Sequence, residues 1–278
     1  MTLTVVGVGR IGGMMAGLGR GAGWAVQEVG RTGPAAEVGG QGPVVVCTRN
    51  DDLEEVLART PPDRRGDLVF VQNGVLAPWL RARGLETRTV APGRTAAPAH
   101  TQTTIGVLYV AVDRPGARPV PGAASIFAGP HAATVAGLLD SGGVTAREAR
   151  DELDLRQEVG TKLAWICVLG VLGEALAATV GQVLEAHEGD VGALCEELAP
   201  ALAAGPDTAA APDLVARVLA YSRSVAHYRT AVKEWPWRTG WLLAQAATAG
   251  VDLPLHRRWL ERAGHGARLH DLSGGRTR

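Results

Sequence analysis

The first half of the chain alternates short apolar runs with turn signals and helical patterns. The apolar runs are rich in valine and bounded by glycine, aspartate or asparagine, which is typical of strands. Helical patterns cover residues 10–21 and 50–60, the second with Asn50 or Asp51 as the predicted N-cap. Strands that alternate with helices predict a parallel sheet covered on both faces. The predicted strands lie within residues 3–9, 24–30, 42–48, 67–74, 104–112 and 124–129.

The pattern changes near residue 150, where strand signals end and helical periodicity takes over. We therefore predict two domains, an α/β domain at 1–150 and an all-helical domain at 151–278. The longest apolar run, 163–180, contains Glu174 and several glycines. It lacks flanking charge asymmetry, so a core helix or a helix pair is favoured over a membrane span.

Composition narrows the class of partner. The chain has 278 residues, of which 46% are hydrophobic, so it is long enough to bury a large core. Lysine plus arginine and aspartate plus glutamate number 28 each, which favours a small-molecule partner over nucleic acid or a membrane surface. No secretory signal precedes the first strand, which favours the cytoplasm and leaves an organelle open. Three separated cysteines and seven scattered histidines predict reduced core thiols and no metal site.

The segment VVGVGRIGG follows the first predicted strand and opens the first predicted helix. Its glycines, Gly7, Gly9 and Gly12, form the pattern GxGxxG, with Arg10 and Ile11 inside it. A dinucleotide site needs such glycines for a tight turn, for backbone approach to a pyrophosphate and for close packing of the helix on the strand. The context therefore predicts dinucleotide binding, with a simple glycine-rich turn as the alternative.

Arg31 follows the second predicted strand, where a protein specific for NAD usually carries an acidic residue. A cation there pairs with a 2′-phosphate, which predicts NADP as the cofactor. A solvated surface arginine is the alternative. The connection 32–43 is short and rich in glycine, whereas a parallel crossover ordinarily holds a helix, so the preference for NADP over NAD stays open.

One full charge, Lys162, interrupts an apolar pattern. Leu155, Val159, Ile166 and Leu169 recur with it at spacings of four and three, so the pattern puts the lysine on the apolar stripe of a helix. Because an unpaired buried ammonium loses its proton, we expect Lys162 to reach a buried carboxylate or to face a cleft. Extension to a nearby surface is the alternative.

Together these features resemble the ketopantoate reductases, and the resemblance covers nearly the whole chain. It implies a Rossmann-like parallel sheet domain followed by an all-helical C-terminal domain for substrate binding and dimerisation, with a homodimer as a possible assembly. It also implies NADPH-dependent reduction of a 2-oxo acid, ketopantoate to pantoate in pantothenate biosynthesis. The residues that carry it are GVGRIGG, Arg31, VQNGV at 71–75, KLAW at 162–165, and the block 222–254, in which a glutamate lies twelve residues after a serine.

The resemblance also implies roles for individual residues. Lys162 is the expected general acid, which stabilises the developing alkoxide and delivers its proton. Asn73 is expected near the nicotinamide and the substrate, and Ser222 at the substrate carboxylate. Glu234 is expected as a second catalytic residue that also binds a substrate hydroxyl. Arg49 takes the place of a lysine near the cofactor cleft. The alternatives are a turn residue for Asn73, a cap or turn residue for Ser222, a solvated charge for Glu234 and an ordinary ion pair for Arg49.

The chain also departs from the family. Ile166 stands where the family usually has an asparagine, and residues 88–100 form a predicted loop without a counterpart. Three tryptophans, Trp235, Trp237 and Trp241, are predicted to lie in one helical stretch, where packing is favoured over a wall that stacks on the substrate. Ile166 and the tryptophans suit reduction of a different ketone or an imine, which is one alternative. The short connection 32–43 suits the other alternative, a non-catalytic NADPH-binding protein, against which Lys162, Asn73, Ser222 and Glu234 argue together.

Overall fold

The apolar runs of the first half form one seven-stranded sheet in a computed structural model that describes residues 1–86 and 101–269. The strands of the described residues are β1 (Thr2–Val6), β2 (Ala25–Val29), β3 (Val44–Val46), β4 (Leu68–Phe70), β5 (Leu85–Glu86), β6 (Thr101–Gln102), β7 (Thr104–Val107), β8 (Val110–Ala111), β9 (Val120–Pro121), β10 (Ser125–Ala128) and β11 (Ala146–Glu148). The order in the seven-stranded sheet is β2-β1-β3-β4-β7-β10-β11, and all neighbours are parallel except β7 and β10, so the predicted parallel sheet is confirmed with one antiparallel pair. The remaining strands form the pairs β5-β6 and β8-β9.

Helices cover the sheet. They are α1 (Arg10–Gly21), α2 (Leu53–Arg59), α3 (Ala77–Arg81) and α4 (Ala132–Ser141). Val45 and Val69 share one buried core with α1 and α4, whereas Phe70 contacts Trp79 of α3 at 5.8 Å between ring centroids. β3 and β4 are buried throughout because apolar layers lie against them.

The second predicted helix begins later than expected. Residues 50–52 form a 3₁₀ turn, and α2 begins at Leu53 with Asp52 as its N-cap, so the prediction of Asn50 or Asp51 is wrong. The buried Asn50 side chain instead donates to the Asn73 carbonyl oxygen at 2.9 Å. Asn50 therefore binds the loop after β4 and does not cap the helix that follows it.

The connection between β2 and β3 contains no helix, as its length predicts. Side chains of two arginines that follow in the sequence, Arg59 and Arg64, instead hold residues 30–43 in place by hydrogen bonds. Arg59 donates to the Gly33 carbonyl at 2.9 Å, and Arg64 donates to the Gly42 carbonyl at 2.9 Å. These guanidinium groups satisfy backbone acceptors that a crossover helix would satisfy internally.

The chain divides into two units, Met1–Leu155 and Arg156–Arg278, which we call the sheet unit and the helical unit. The helices of the second half are α5 (Glu152–Ala175), α6 (Val180–Ala203), α7 (Leu214–Ser224), α8 (Thr239–Ala249) and α9 (Pro254–Arg262). Within the described ranges, no helix has the length and hydrophobicity that a bilayer span requires. The predicted 88–100 loop lies outside the described residues.

Two local predictions for the helical unit are wrong. In α5, every residue from 160 to 173 is buried, so Lys162 lies in a stretch that is buried on every face of the helix and not on a single apolar stripe. Trp235–Trp237 form a 3₁₀ turn ahead of α8, so the three tryptophans do not share one helix. Trp235 packs over Gly240, where an added Cβ would approach its ring to 2.5 Å.

Candidate active site

The glycine motif forms a tight turn between β1 and α1. Gly7 has φ +92°, and a Cβ there would lie 3.0 Å from the Thr48 side chain after β3. A Cβ on Gly12 would lie 1.8 Å from the Gly7 carbonyl oxygen, so α1 packs directly on the turn. Gly9 is the helix N-cap, and the space that its Cβ would occupy is open. The helix N-terminus is therefore accessible to a phosphate group.

Three arginines lie at the turn region, where Asp51 and Asp52 after β3 are the exposed acidic residues. Arg10 is the first residue of α1, whose first turn holds no acidic side chain, and Ile11 behind it is half-buried. Arg31 follows β2, Arg49 follows β3, and all three arginines are exposed. Because β2, β1 and β3 are parallel neighbours, their carboxyl ends lie at one edge of the sheet. The charge and the open backbone at this edge fit a ligand that carries phosphate.

The loops after β3 and β4 are fixed to each other at the same edge. Asn73 is exposed, while its carbonyl oxygen accepts the Asn50 hydrogen bond. Gln72 donates to the Val46 carbonyl at 2.8 Å, and its Oε1 is buried with no hydrogen-bond partner among the described residues. β1 continues to β2 on one side and lies beside β3 on the other, so these loops border a switch point, where open α/β sheets bind ligands.

Lys162 lies in the middle of α5 with 6% of its surface exposed. Its Nζ donates to the Tyr221 hydroxyl at 3.0 Å and lies 4.2 Å from the Tyr221 ring centroid and 5.0 Å from that of Trp165. Burial, followed by the charge of Arg238, lowers the pKa of Lys162 to about 7. The ammonium therefore loses and regains a proton near neutral pH, which suits a general acid.

Glu234 and Arg238 form an ion pair beside this lysine. Glu234 has φ +46°, a left-handed conformation that is uncommon for a residue with a side chain. Arg238 precedes α8, and its Nε is buried without a hydrogen-bond partner among the described residues. Of the polar residues predicted for the helical unit, the structure thus brings Lys162 and Glu234 into one group through Arg238. We call Lys162, Trp165, Tyr221, Glu234 and Arg238 the lysine cluster.

Ser222 lies next to this cluster but is fully buried, with 0% of its surface exposed. Its hydroxyl accepts a hydrogen bond from Trp165 Nε1 at 3.0 Å and donates to the Val218 carbonyl at 2.8 Å. The serine thus fixes the indole that borders Lys162. Direct contact between Ser222 and a substrate carboxylate stays a prediction. Ile166, which replaces the expected polar residue, is also buried.

Sequence reasoning missed Tyr221 and Arg238. Tyr221 directly precedes Ser222, and Arg238 lies four residues after Glu234, a spacing that favours an ion pair. Arg238 lies inside the block 222–254 that carries the family resemblance, and Tyr221 directly precedes that block, so their positions were available as a signal. Their proximity to Lys162 was not, because α5 lies far from both along the chain.

The cysteines supply no reactive thiol to the lysine cluster. Cys167 is buried in α5 and accepts a hydrogen bond from the Thr239 hydroxyl at 3.7 Å. Burial raises the pKa of the Cys167 thiol to about 12. Cys195 is also buried, and the half-buried Cys47 packs against the core of the sheet unit, where burial raises the pKa of its thiol to about 12.

Solved structures match the chain over nearly its whole length. A ketopantoate reductase of the PanE/ApbA family from Ralstonia eutropha JMP134 is 17% identical, with 95% of this chain and 97% of that chain covered and a TM-score of 0.70. This chain has the ketopantoate reductase fold. A D-mandelate dehydrogenase with NADH and anilino(oxo)acetate is 12% identical, with coverage of 95% and 97% and a TM-score of 0.69.

A 2-dehydropantoate 2-reductase from Geobacter metallireducens GS-15 is similar to the same extent. It is 18% identical, with 96% of this chain and 100% of that chain covered and a TM-score of 0.68. No family model matches the sequence, and no curated protein matches it either. The comparisons therefore establish the fold, a Rossmann-like sheet unit followed by a helical unit.

Proposed function

We propose that the protein catalyses NADPH-dependent reduction of a 2-oxo acid, with ketopantoate to pantoate as the leading reaction. The observation that carries the proposal is Lys162, a buried lysine with a pKa lowered to about 7, in the fold of known 2-oxo acid reductases. A protein that only binds a dinucleotide has no need of a buried ammonium group, which costs stability. A proton donor at this pKa serves a reaction in which negative charge develops on oxygen.

The sheet unit offers groups that fit the cofactor. The open turn Gly7–Gly12 would hold the pyrophosphate against the N-terminus of α1, and Arg31 would pair with the 2′-phosphate. Arg10 and Arg49 add positive charge at the same edge. Asn73 would orient the nicotinamide end. The bound nicotinamide supplies hydride to the carbonyl carbon of the substrate.

The lysine cluster supplies the remaining chemistry. Lys162 Nζ donates a hydrogen bond to the carbonyl oxygen of the substrate and transfers its proton to that oxygen as the alkoxide forms. Tyr221 and the Trp165 ring hold the ammonium group in place. Glu234 would accept a hydrogen bond from a substrate hydroxyl. Since reduction needs the protonated lysine, kcat/KM should fall as the pH rises above about 7, the pKa of Lys162 in the free protein.

A second substrate class is favoured by the aromatic surroundings of Lys162. The Trp165 and Tyr221 rings lie 4.8 Å apart and both border the ammonium group. Such rings suit an aromatic substituent on the substrate. The D-mandelate dehydrogenase of the same fold binds anilino(oxo)acetate, an aromatic derivative of a 2-oxo acid. An aryl 2-oxo acid is therefore the alternative substrate to ketopantoate.

The test is oxidation of NADPH, and separately of NADH, with ketopantoate and with phenylglyoxylate. Lys162→Met should lower kcat by about 10³-fold because it removes the proton donor. NADPH affinity, measured by fluorescence titration, should stay unchanged. Lys233→Met is the matched control, because Lys233 is the other lysine of the chain and is exposed.

Two outcomes would contradict the proposal. If the wild type binds NADPH but reduces neither substrate, the protein is a non-catalytic NADPH-binding protein or acts on another carbonyl compound. If Lys162→Met retains the wild-type kcat, the lysine is not the general acid. A preference for NADH over NADPH would contradict only the proposed pairing of Arg31 with the 2′-phosphate and would leave the rest of the proposal intact.

A further inference from the structure

The guanidinium of Arg238 has a geometry that helix stability does not explain. It lies at the N-terminal boundary of α8, where the helix dipole disfavours positive charge. Only 12% of the side chain is exposed. Nη2 contacts Glu234, while the neighbouring Nε is buried and makes no hydrogen bond with any described residue. A buried N–H without an acceptor is costly, so it marks a place where an acceptor is expected.

The cations of the lysine cluster also favour an anion as ligand. Arg238 is positively charged, and Lys162 adds a second positive charge when it is protonated, so both groups attract a bound monoanion. A carboxylate is the anion that the fork of an arginine recognises best, because two parallel N–H donors match its two oxygens.

The family resemblance assigns the contact with the substrate carboxylate to Ser222, but in this structure that contact needs another hydrogen-bond donor. The Ser222 hydroxyl is fully buried and already pairs with Trp165 and with the Val218 carbonyl. We propose that Arg238, through its Nε edge, binds the carboxylate of the substrate and so determines specificity for 2-oxo acids over neutral ketones. This inference rests on the proposed function and names the residue that recognises the substrate class.

The position of Arg238 relative to Lys162 agrees with this role. In a 2-oxo acid the carboxylate is bonded to the carbon that is reduced, so its binding residue must lie near the proton donor. Arg238 is close enough to Lys162 for its charge to lower the lysine pKa. Carboxylate binding would offset that effect, because the negative charge raises the lysine pKa and keeps the ammonium protonated for proton transfer.

The experiment compares Arg238→Met with the wild type on a 2-oxo acid and on its amide, which lacks the negative charge. The KM for the acid should rise by about 100-fold, while the KM for the amide should change less than threefold. Binding of oxamate, an inert 2-oxo acid analogue, is measured without turnover by tryptophan fluorescence. Arg223→Met is the matched control, because Arg223 pairs with Glu188 in the same unit but is 58% exposed.

Arg238→Met removes the ion-pair partner of Glu234, and this loss by itself could destabilise the fold. The double variant Glu234→Gln with Arg238→Met controls for that effect, because it also removes the charge of Glu234. It should fold as the wild type does by circular dichroism and still bind oxamate at least 30-fold more weakly. If either folded variant binds oxamate as tightly as the wild type, the proposal is overturned.

Two further outcomes separate this inference from the proposed function. The first outcome is that Arg238→Met raises the KM for the acid and for the amide by the same factor, or that only Ser222→Ala raises the KM for the acid selectively. In that case Arg238 does not bind the carboxylate, and the proposed reductase function stands. If the wild type reduces no 2-oxo acid yet binds oxamate through Arg238, the proposed function fails and the anion site stands.

Discussion

The sheet unit and the helical unit place their charged candidate residues in opposite surroundings. At the sheet edge, Arg10, Arg31 and Arg49 are exposed on loops, and the backbone between them is shaped by glycines. In the helical unit, Lys162 is 6% exposed and Arg238 is 12% exposed, within packed helices and aromatic rings. The sheet unit keeps these three candidate arginines in water, whereas the helical unit encloses Lys162 and Arg238.

The difference has an energetic consequence. Exposed cations cost little to maintain and bind a charged ligand when it arrives, so their removal should change affinity and leave stability almost untouched. Burial of the Lys162 ammonium costs stability in the free protein, so its removal should lower turnover and raise stability. In the sheet unit, the site constrains the backbone. Gly7 and Gly12 lie so close to neighbouring atoms that a side chain at either position would clash.

The largest expected effect is on the backbone of the sheet unit. Gly12→Ala would place a Cβ 1.8 Å from the Gly7 carbonyl oxygen, so α1 must move away from β1. We expect the free energy of unfolding to fall by about 3 kcal/mol, measured by urea denaturation. Gly17→Ala is the control, because Gly17 lies in the same helix with open space around it, and it should stabilise the protein by about 0.5–1 kcal/mol. Equal effects at the two positions would refute the close packing.

A smaller effect of opposite sign is expected at Lys162. The folded-state pKa of about 7 lies below the ordinary value of 10.5, so the lysine costs nothing above pH 10.5 and its full penalty is present below pH 7. Lys162→Met removes that penalty but also the hydrogen bond to Tyr221, and we expect about 2 kcal/mol of net stabilisation at pH 7.

Urea denaturation between pH 7 and pH 10 checks this sign. The gap between Lys162→Met and the wild type should shrink as the pH rises, because the neutral lysine is no longer penalised by burial. A variant that is less stable than the wild type at pH 7 would show that Lys162 is paired more strongly than its surroundings indicate.

The smallest expected effect is at Arg31 in the sheet unit. Arg31→Ala should weaken NADPH binding by about tenfold, because one charge-assisted contact to the 2′-phosphate is lost. NADH binding and the melting temperature should stay unchanged, since the side chain is exposed. Isothermal titration with both cofactors separates these outcomes, and an equal loss for NADH would assign Arg31 to a part that both cofactors share.

Local patterns were sufficient for the elements that form the site. The GxGxxG segment predicted a strand, a turn and a helix over residues 3–21, and the structure has β1, the turn and α1 there. The lack of a helix after β2 also followed from length alone. The arginines that hold that connection, Arg59 and Arg64, could not be predicted, because they come from elements that follow it.

The sequence by itself determined the alternation of strands and helices up to about residue 74, the glycine turn and the presence of an ammonium group in an apolar helix, because these depend on periodicity and backbone sterics over a few residues. Only the tertiary structure decided which side chains surround that ammonium group. Tyr221 lies 59 residues from Lys162, and Ser222 lies 57 residues from Trp165. The lowered pKa of Lys162 arises from desolvation and from Arg238, and both depend on how distant helices pack.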